Sequence, residues 1–293
     1  MKNRIFRRLM NSATSIFTAL VAILSVAYAA LGDDATNYYT NGVMKCAIND
    51  WSGALTNFNR AIALNTNYAD AYEGRSTVEY INGDLDAALA DANKAIALNP
   101  ELPCAYFNRG EINFSKGDTN GAILDFTKVI ERQPDDADAY YCRGTVKQNN
   151  GDTNAAIADF TKAIELKPTY AEAYYCRGYL KEAQRDADGA IADFDEAIKI
   201  NPSYAEAYFH RGYTKGTKRD FDRAIEDFDK AIGIHSHFAY AYFYRAWLER
   251  LKGNLDASNA DYKKAVSLDP QLRQLILTNG GFPTTNGGFS GKY

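Results

Sequence analysis

The chain has 293 residues, 46% of them hydrophobic and 24% charged, with 21 Tyr and only 7 Pro. That excludes a disordered or collagen-like polymer and leaves ample apolar material for a core. Lys and Arg number 33 against 37 Asp and Glu, but four of those bases, Lys2, Arg4, Arg7 and Arg8, precede every acid, so the chain without residues 1–29 has 29 bases against 37 acids. Such a balance argues against nucleic-acid binding, which needs clustered Lys and Arg to neutralise phosphates.

The first element in chain order reads as a secretory signal: the basic start, an apolar run from Ile16 to Ala27, then Ala27-Tyr28-Ala29. Cleavage after Ala29 and export to the periplasm or the medium are expected. The run spans 12 residues, short of the roughly 20 needed to cross a bilayer, so a retained N-terminal membrane anchor is the second reading. No membrane span is expected after cleavage.

From there the pairs Ala71-Tyr72, Ala105-Tyr106, Ala139-Tyr140, Ala173-Tyr174, Ala207-Tyr208 and Ala241-Tyr242 recur every 34 residues. With Asn37-Tyr38 opening the first, seven units follow within 30–272: 35–68, 69–102, 103–136, 137–170, 171–204, 205–238 and 239–272. Each carries a small residue at its eighth place (Gly42, Ser76, Gly110, Gly144, Gly178, Gly212, Ala246), an Asp or Asn after a mid-unit turn, and a run such as Ala156, Ile157, Phe160, Ala163 and Ile164. The i, i+3, i+4, i+7 spacing of that run makes one apolar stripe on a helix. Each unit is thus predicted to be two helices. Asp84, Asp118, Asp152, Asp186 and Asp220 stand where the second needs an N-cap, and Asn-Pro signals such as Asn99-Pro100 and Asn201-Pro202 stop it. The small eighth place and Ala at the twentieth (Ala122, Ala156, Ala190, Ala224) are expected where the two helices cross most closely.

A 34-residue helix-turn-helix unit with a small eighth place, Ala at the twentieth, Phe at the twenty-fourth, Ala at the twenty-seventh and Pro at the thirty-second resembles the tetratricopeptide repeat family. The chain departs from the usual pattern in having Tyr at the fourth place, Arg at the seventh, and Lys, Glu or Asn at the eleventh. RNA-reading pentatricopeptide repeats are disfavoured by the acidic charge and the strict spacing. The resemblance implies an all-α, right-handed α-solenoid whose first helices line a concave groove for a peptide or protein segment.

The second, fifth, ninth and twelfth places of the first helix share one face, and by the resemblance that face lines the groove. The expected binding residues are Tyr141, Tyr175, Phe209 and Phe243 at the fifth place, Tyr179, Tyr213 and Trp247 at the ninth, and Glu172 and Glu206 at the second. Acids there exclude the basic clamp with which chaperone-binding members of the family grip a terminal carboxylate, and favour partners with basic, apolar or aromatic segments. Arg75, Arg109, Arg143, Arg177, Arg211 and Arg245 form a ladder, expected to meet the equally periodic Asp91, Asp125, Asp159, Asp193, Asp227 and Asp261. Four cysteines, Cys46, Cys104, Cys142 and Cys176, are expected as free thiols.

Enzyme chemistry finds no foothold. His235-Ser236-His237 has metal-like spacing but falls where other units carry their terminal turn, and no P-loop, G-x-S-x-G or H-E-x-x-H motif occurs. Neither a cofactor nor a metal is expected. Residues 273–293 read as a short capping half-helix, Arg273 to Thr278, and a Gly-rich tail. The expected role is a non-catalytic interaction scaffold in an extracytoplasmic compartment, the alternative a structural subunit of an envelope assembly.

Overall fold

The computed structural model describes residues 34–273, where fourteen α-helices and no strand occur. The expected signal (1–29) and most of the C-terminal tail lie outside the described residues. The helices follow in pairs: α1 (Ala35–Ala47) and α2 (Trp51–Leu64), α3 (Ala69–Asn82) and α4 (Leu85–Leu98), α5 (Pro103–Ser115) and α6 (Thr119–Arg132), α7 (Ala137–Asn149) and α8 (Thr153–Leu166). Three more pairs complete the array: α9 (Ala171–Ala183) and α10 (Ala187–Ile200), α11 (Ala205–Thr217) and α12 (Phe221–Ile234), α13 (Ala239–Leu251) and α14 (Leu255–Leu268). The fold is an all-α solenoid of helix-turn-helix repeats, as the 34-residue spacing requires.

Two compact units make up the chain, one running to Asp159 and the other from Phe160. In the first, α1 packs on α2, α3 on α4 and α5 on α6, and the first helices α1, α3, α5 and α7 also touch in succession. In the second, α9 packs on α10, α11 on α12 and α13 on α14, with α9, α11 and α13 touching in the same way. Within each unit the first helices therefore form one layer, with the second helices packed on it.

The turns explain the helix boundaries. Asp50, Asp84, Asp118 and Asp186 accept from the backbone N–H three residues on, each satisfying an orphan amide of a second helix. Asp220 makes no such bond; its side chain lies by Arg223 instead. First helices end in a left-handed residue, Gly83, Gly117, Gly151 or Gly253, but Arg185 and Arg219 hold φ +66 in the equivalent turns. Their backbones make the closing bonds of a Schellman turn, Asp186 N–H to Lys181 C=O and Asp220 N–H to Lys215 C=O.

Close crossing of each pair depends on the eighth place. A Cβ added to Gly42 would stand 2.6 Å from the Phe58 ring, and one on Gly178 2.9 Å from Phe194. Ser76 fits because its Oγ turns to donate to the Ala88 carbonyl, 2.7 Å away, at the expected eighth-to-twentieth crossing. Around it the Ala of each Ala-Tyr pair and Phe58, Phe126, Phe160, Phe194 and Phe228 are fully buried.

The arginine ladder meets the aspartates as expected and reaches further. Each guanidinium grips the aspartate of its own repeat sixteen residues on with Nε and Nη2, as Arg177 does on Asp193 at 2.9 and 2.6 Å. Its Nη1 donates to the twenty-fifth place of the preceding repeat: Arg75 to Asn59, Arg109 to Asn93, Arg143 to Thr127, Arg177 to Thr161, Arg211 to Asp195 and Arg245 to Asp229. Beneath each lies the fourth-place Tyr, with 5.3–5.6 Å between guanidinium carbon and ring centroid. Lys147, Lys181 and Lys215 at the eleventh place add a second cation to the buried aspartate.

In the second repeat the eleventh place is Glu79, so a carboxyl stands where the fourth, fifth and sixth repeats have ammonium. Burial, and then the charge of Asp91, push it from 4.5 up to about 7, against the pull of Arg75, and its Oε2 has no hydrogen-bond partner. Because the folded group holds its proton above the unfolded range, its stabilising contribution is full below about 4.5 and lost as pH rises to about 7. Denaturant unfolding is therefore expected to show the native protein losing stability relative to Glu79→Gln across that window, with a constant gap above it. Parallel pH profiles for the two proteins would contradict this account.

Candidate functional site

The face expected to bind is best defined in the second unit, on α9, α11 and α13. Its second, fifth, ninth and twelfth places are Glu172, Tyr175, Tyr179 and Glu182, then Glu206, Phe209, Tyr213 and Gly216, then Tyr240, Phe243, Trp247 and Arg250. The structure divides these residues by depth. Glu172 and Glu206 are exposed at the helix starts, and Tyr175, Tyr179 and Tyr213 are half-buried.

Several of the expected binding residues are core. Phe209 is 1% exposed, Phe243 0% and Trp247 9%, and in the first unit Tyr141 is 8% exposed. For Phe209 the reason lies at the sixth place of the next repeat, whose side chain reaches back over it, while Phe243 and Trp247 are buried in the same cluster with Leu248 and Leu272. Tyr244 packs against Phe209 at 5.7 Å and Tyr213 at 5.2 Å, and His210 against Tyr175 at 5.7 Å and Tyr179 at 5.2 Å. At a helix spacing of about 8–10 Å one layer of side chains fills the gap. Tyr175 also packs against Tyr204 at 4.9 Å between ring centroids, and burial drives its phenol far above the usual range.

The sixth place also makes polar bonds that the sequence reading did not anticipate. In the first unit Asn108 Nδ2 donates to Glu73 Oε1 at 2.7 Å and to Thr77 Oγ1 at 2.8 Å, and Cys142 Sγ lies 3.2 Å from Glu111 Oε1. In the second, His210 Nδ1 lies 3.1 Å from Glu182 Oε2, which Thr214 Oγ1 also approaches, at 3.3 Å. Each buried polar group thus meets a carboxylate on the preceding first helix. The signal in the sequence is the pairing of Asn, Cys or His at a sixth place with Glu at the fifth, ninth or twelfth place one repeat earlier.

Burial, and then the Glu182 charge, raise the phenols of Tyr179 and Tyr213. The result is a face of tyrosine and carboxylate. Among the described residues no group of three or more His, Cys, Asp or Glu could hold a metal ion, and no helix is long and apolar enough to cross a membrane. No disulfide joins the four cysteines to one another.

Residues 77–117, 110–151, 149–185 and 186–217 match the family pattern described as TPR repeat, and 209–272 that described as tetratricopeptide repeat. The chain belongs to the tetratricopeptide repeat family. No sequence match is found among curated proteins. Among solved structures, a crystal structure of MamA protein is 30% identical, covering 59% of this chain and 94% of that one, with a TM-score of 0.54. A second, of YrrB, described as a TPR protein with an unusual peptide-binding site, is 27% identical over 63% of this chain and 95% of that one, TM-score 0.55. A tetratricopeptide repeat protein from Parabacteroides merdae is 19% identical, covers 84% of this chain and 98% of its own, and shares the fold at a TM-score of 0.60.

This division of the face predicts opposite outcomes for its members. Phe209→Ala and Trp247→Ala are expected to cost about 3–5 kcal/mol in denaturant unfolding, as large-to-small changes in a core do. Glu206→Gln, at an exposed site, is expected to stay within about 0.5 kcal/mol. Equal stability for all three would return Phe209 and Trp247 to the surface.

Proposed function

We propose that this chain is a non-catalytic interaction scaffold that holds an extended or helical protein segment on the first-helix face of its second unit. Membership of a family of interaction modules supports the reading, as does likeness to YrrB, whose description names a peptide-binding site. The observation that carries it is the pairing of exposed Glu172 and Glu206 with the half-buried Tyr179 and Tyr213 on adjacent helices. Aromatic side chains offer contact area at small entropic cost, and exposed carboxylates steer a basic segment onto it. Partners of this face carry Lys or Arg beside apolar or aromatic residues.

The basic start and short apolar run support export, with a mature chain beginning at Ala30 that works in the periplasm or outside the cell. N-terminal sequencing of the natural protein checks that start; an intact Met1 on membrane material would support the anchored alternative.

The mature chain is expected to retain a specific protein in affinity capture followed by mass spectrometry. Charge reversal at Glu172→Lys with Glu206→Lys should abolish that capture, as should raised ionic strength. Retention by the reversed variant, or a stable homo-oligomer in light scattering that occludes the face, would contradict the proposal.

A further inference from the structure

Glu182 stands apart from the other acids of this face. Its side chain is 12% exposed, whereas Glu172 and Glu206 at the helix starts are exposed. His210 Nδ1 holds its Oε2 from the neighbouring helix α11, with Thr214 Oγ1 beside it. A ring nitrogen facing a carboxylate oxygen carries the proton, so His210 acts as donor in either charge state. The carboxylate is thus fixed across the repeat boundary instead of moving freely on its stem.

Its other oxygen is uncommitted. Oε1 has no hydrogen bond within the described residues, and part of the side chain stays exposed. The lysines at the eleventh place of these two repeats are engaged elsewhere: Lys181 with Asp193 and Lys215 with Asp227, both at 2.8 Å. Tyr179 and Tyr213 occupy the same place in successive repeats, and the charge of Glu182 acts on both phenols. A fixed carboxylate with one open oxygen, bordered by two tyrosines and lacking a lysine or arginine partner, is the complement of a planar cation. Guanidinium can pair with the oxygen while lying against aromatic carbon, and it sheds water more readily than an ammonium group.

We propose that Glu182, Tyr179 and Tyr213 form a subsite for an arginine side chain of the bound segment, with His210 and Thr214 as positioning residues. The proposal rests on the scaffold reading above and names the side chain that reading leaves open. Glu182 fixes the position of the arginine along the segment, while Glu172 and Glu206 at the rim supply attraction of no fixed register.

A random peptide display library selected on the full-length protein tests it. Selected peptides are expected to share an arginine at one position. Replacing that arginine by citrulline, its uncharged isostere, should weaken binding about tenfold or more. The preference for arginine over citrulline should vanish in Glu182→Gln, whose amide oxygen still accepts from His210, while contacts along the rest of the peptide persist. Peptides selected without a basic position, or an unchanged preference in Glu182→Gln, would overturn the subsite and leave the scaffold reading standing. A library that yields no binding peptide would overturn both. Because the citrulline comparison alters only the peptide, it holds even if the variant protein is poorly folded.

Discussion

One side chain, the arginine at the seventh place, joins everything that a single repeat cannot hold alone. Its fork closes the two helices of its own repeat through a buried aspartate, and its remaining nitrogen binds the repeat before it. The tyrosine stacked beneath makes the node partly apolar, so the guanidinium loses water without being left bare. A buried aspartate without such a partner would cost several kcal/mol, which ties folding of each pair from the second onward to the presence of the arginine. Lysine at the eleventh place then relieves the remaining charge, and where Glu79 replaces it the array acquires a proton-sensitive joint.

Given that node, the inner face follows from what remains to be covered. Successive first helices lie close enough that the sixth place must fill the space between them. Large or polar residues there decide which parts of the face stay open. Tyr244 seals Phe209, and Phe243 and Trp247 are buried in the same cluster, whereas His210 leaves Tyr179 only half covered and pins Glu182. Function and stability therefore share one layer of side chains. The aromatic rows are large because the gap is large, and only their outer edges are left for a partner.

The fold was legible because each repeated station has one job that recurs in most repeats. Gly178 against Phe194, Asp186 at its helix start and Arg177 on Asp193 each declare themselves by period alone. The face was less legible for the opposite reason. Helical periodicity assigns Phe209, Tyr213 and Glu206 to one side of α11, but it carries no information about the neighbour that covers the middle of that side. The covering residue varies from Asn108 to Cys142, His210 and Tyr244, so no period marks it, and its partners Glu73, Glu111 and Glu182 sit at three different places. Asp220, periodic yet uncapping, shows that even a recurring station is redirected when a competing side chain, Arg223, lies beside it.

Native-state hydrogen exchange of Arg211→Met, compared with the unaltered protein, tests the coupling directly. Arg211 belongs to the sixth repeat, and Lys215 would still hold Asp227, so the repeat keeps one cation on its buried acid. The account predicts that amides of α9 and α10 lose protection together with those of α11 and α12, because one guanidinium serves both repeats. Loss of protection confined to α11 and α12, with α9 and α10 unchanged, would show that the arginine closes its own repeat only and would contradict the account.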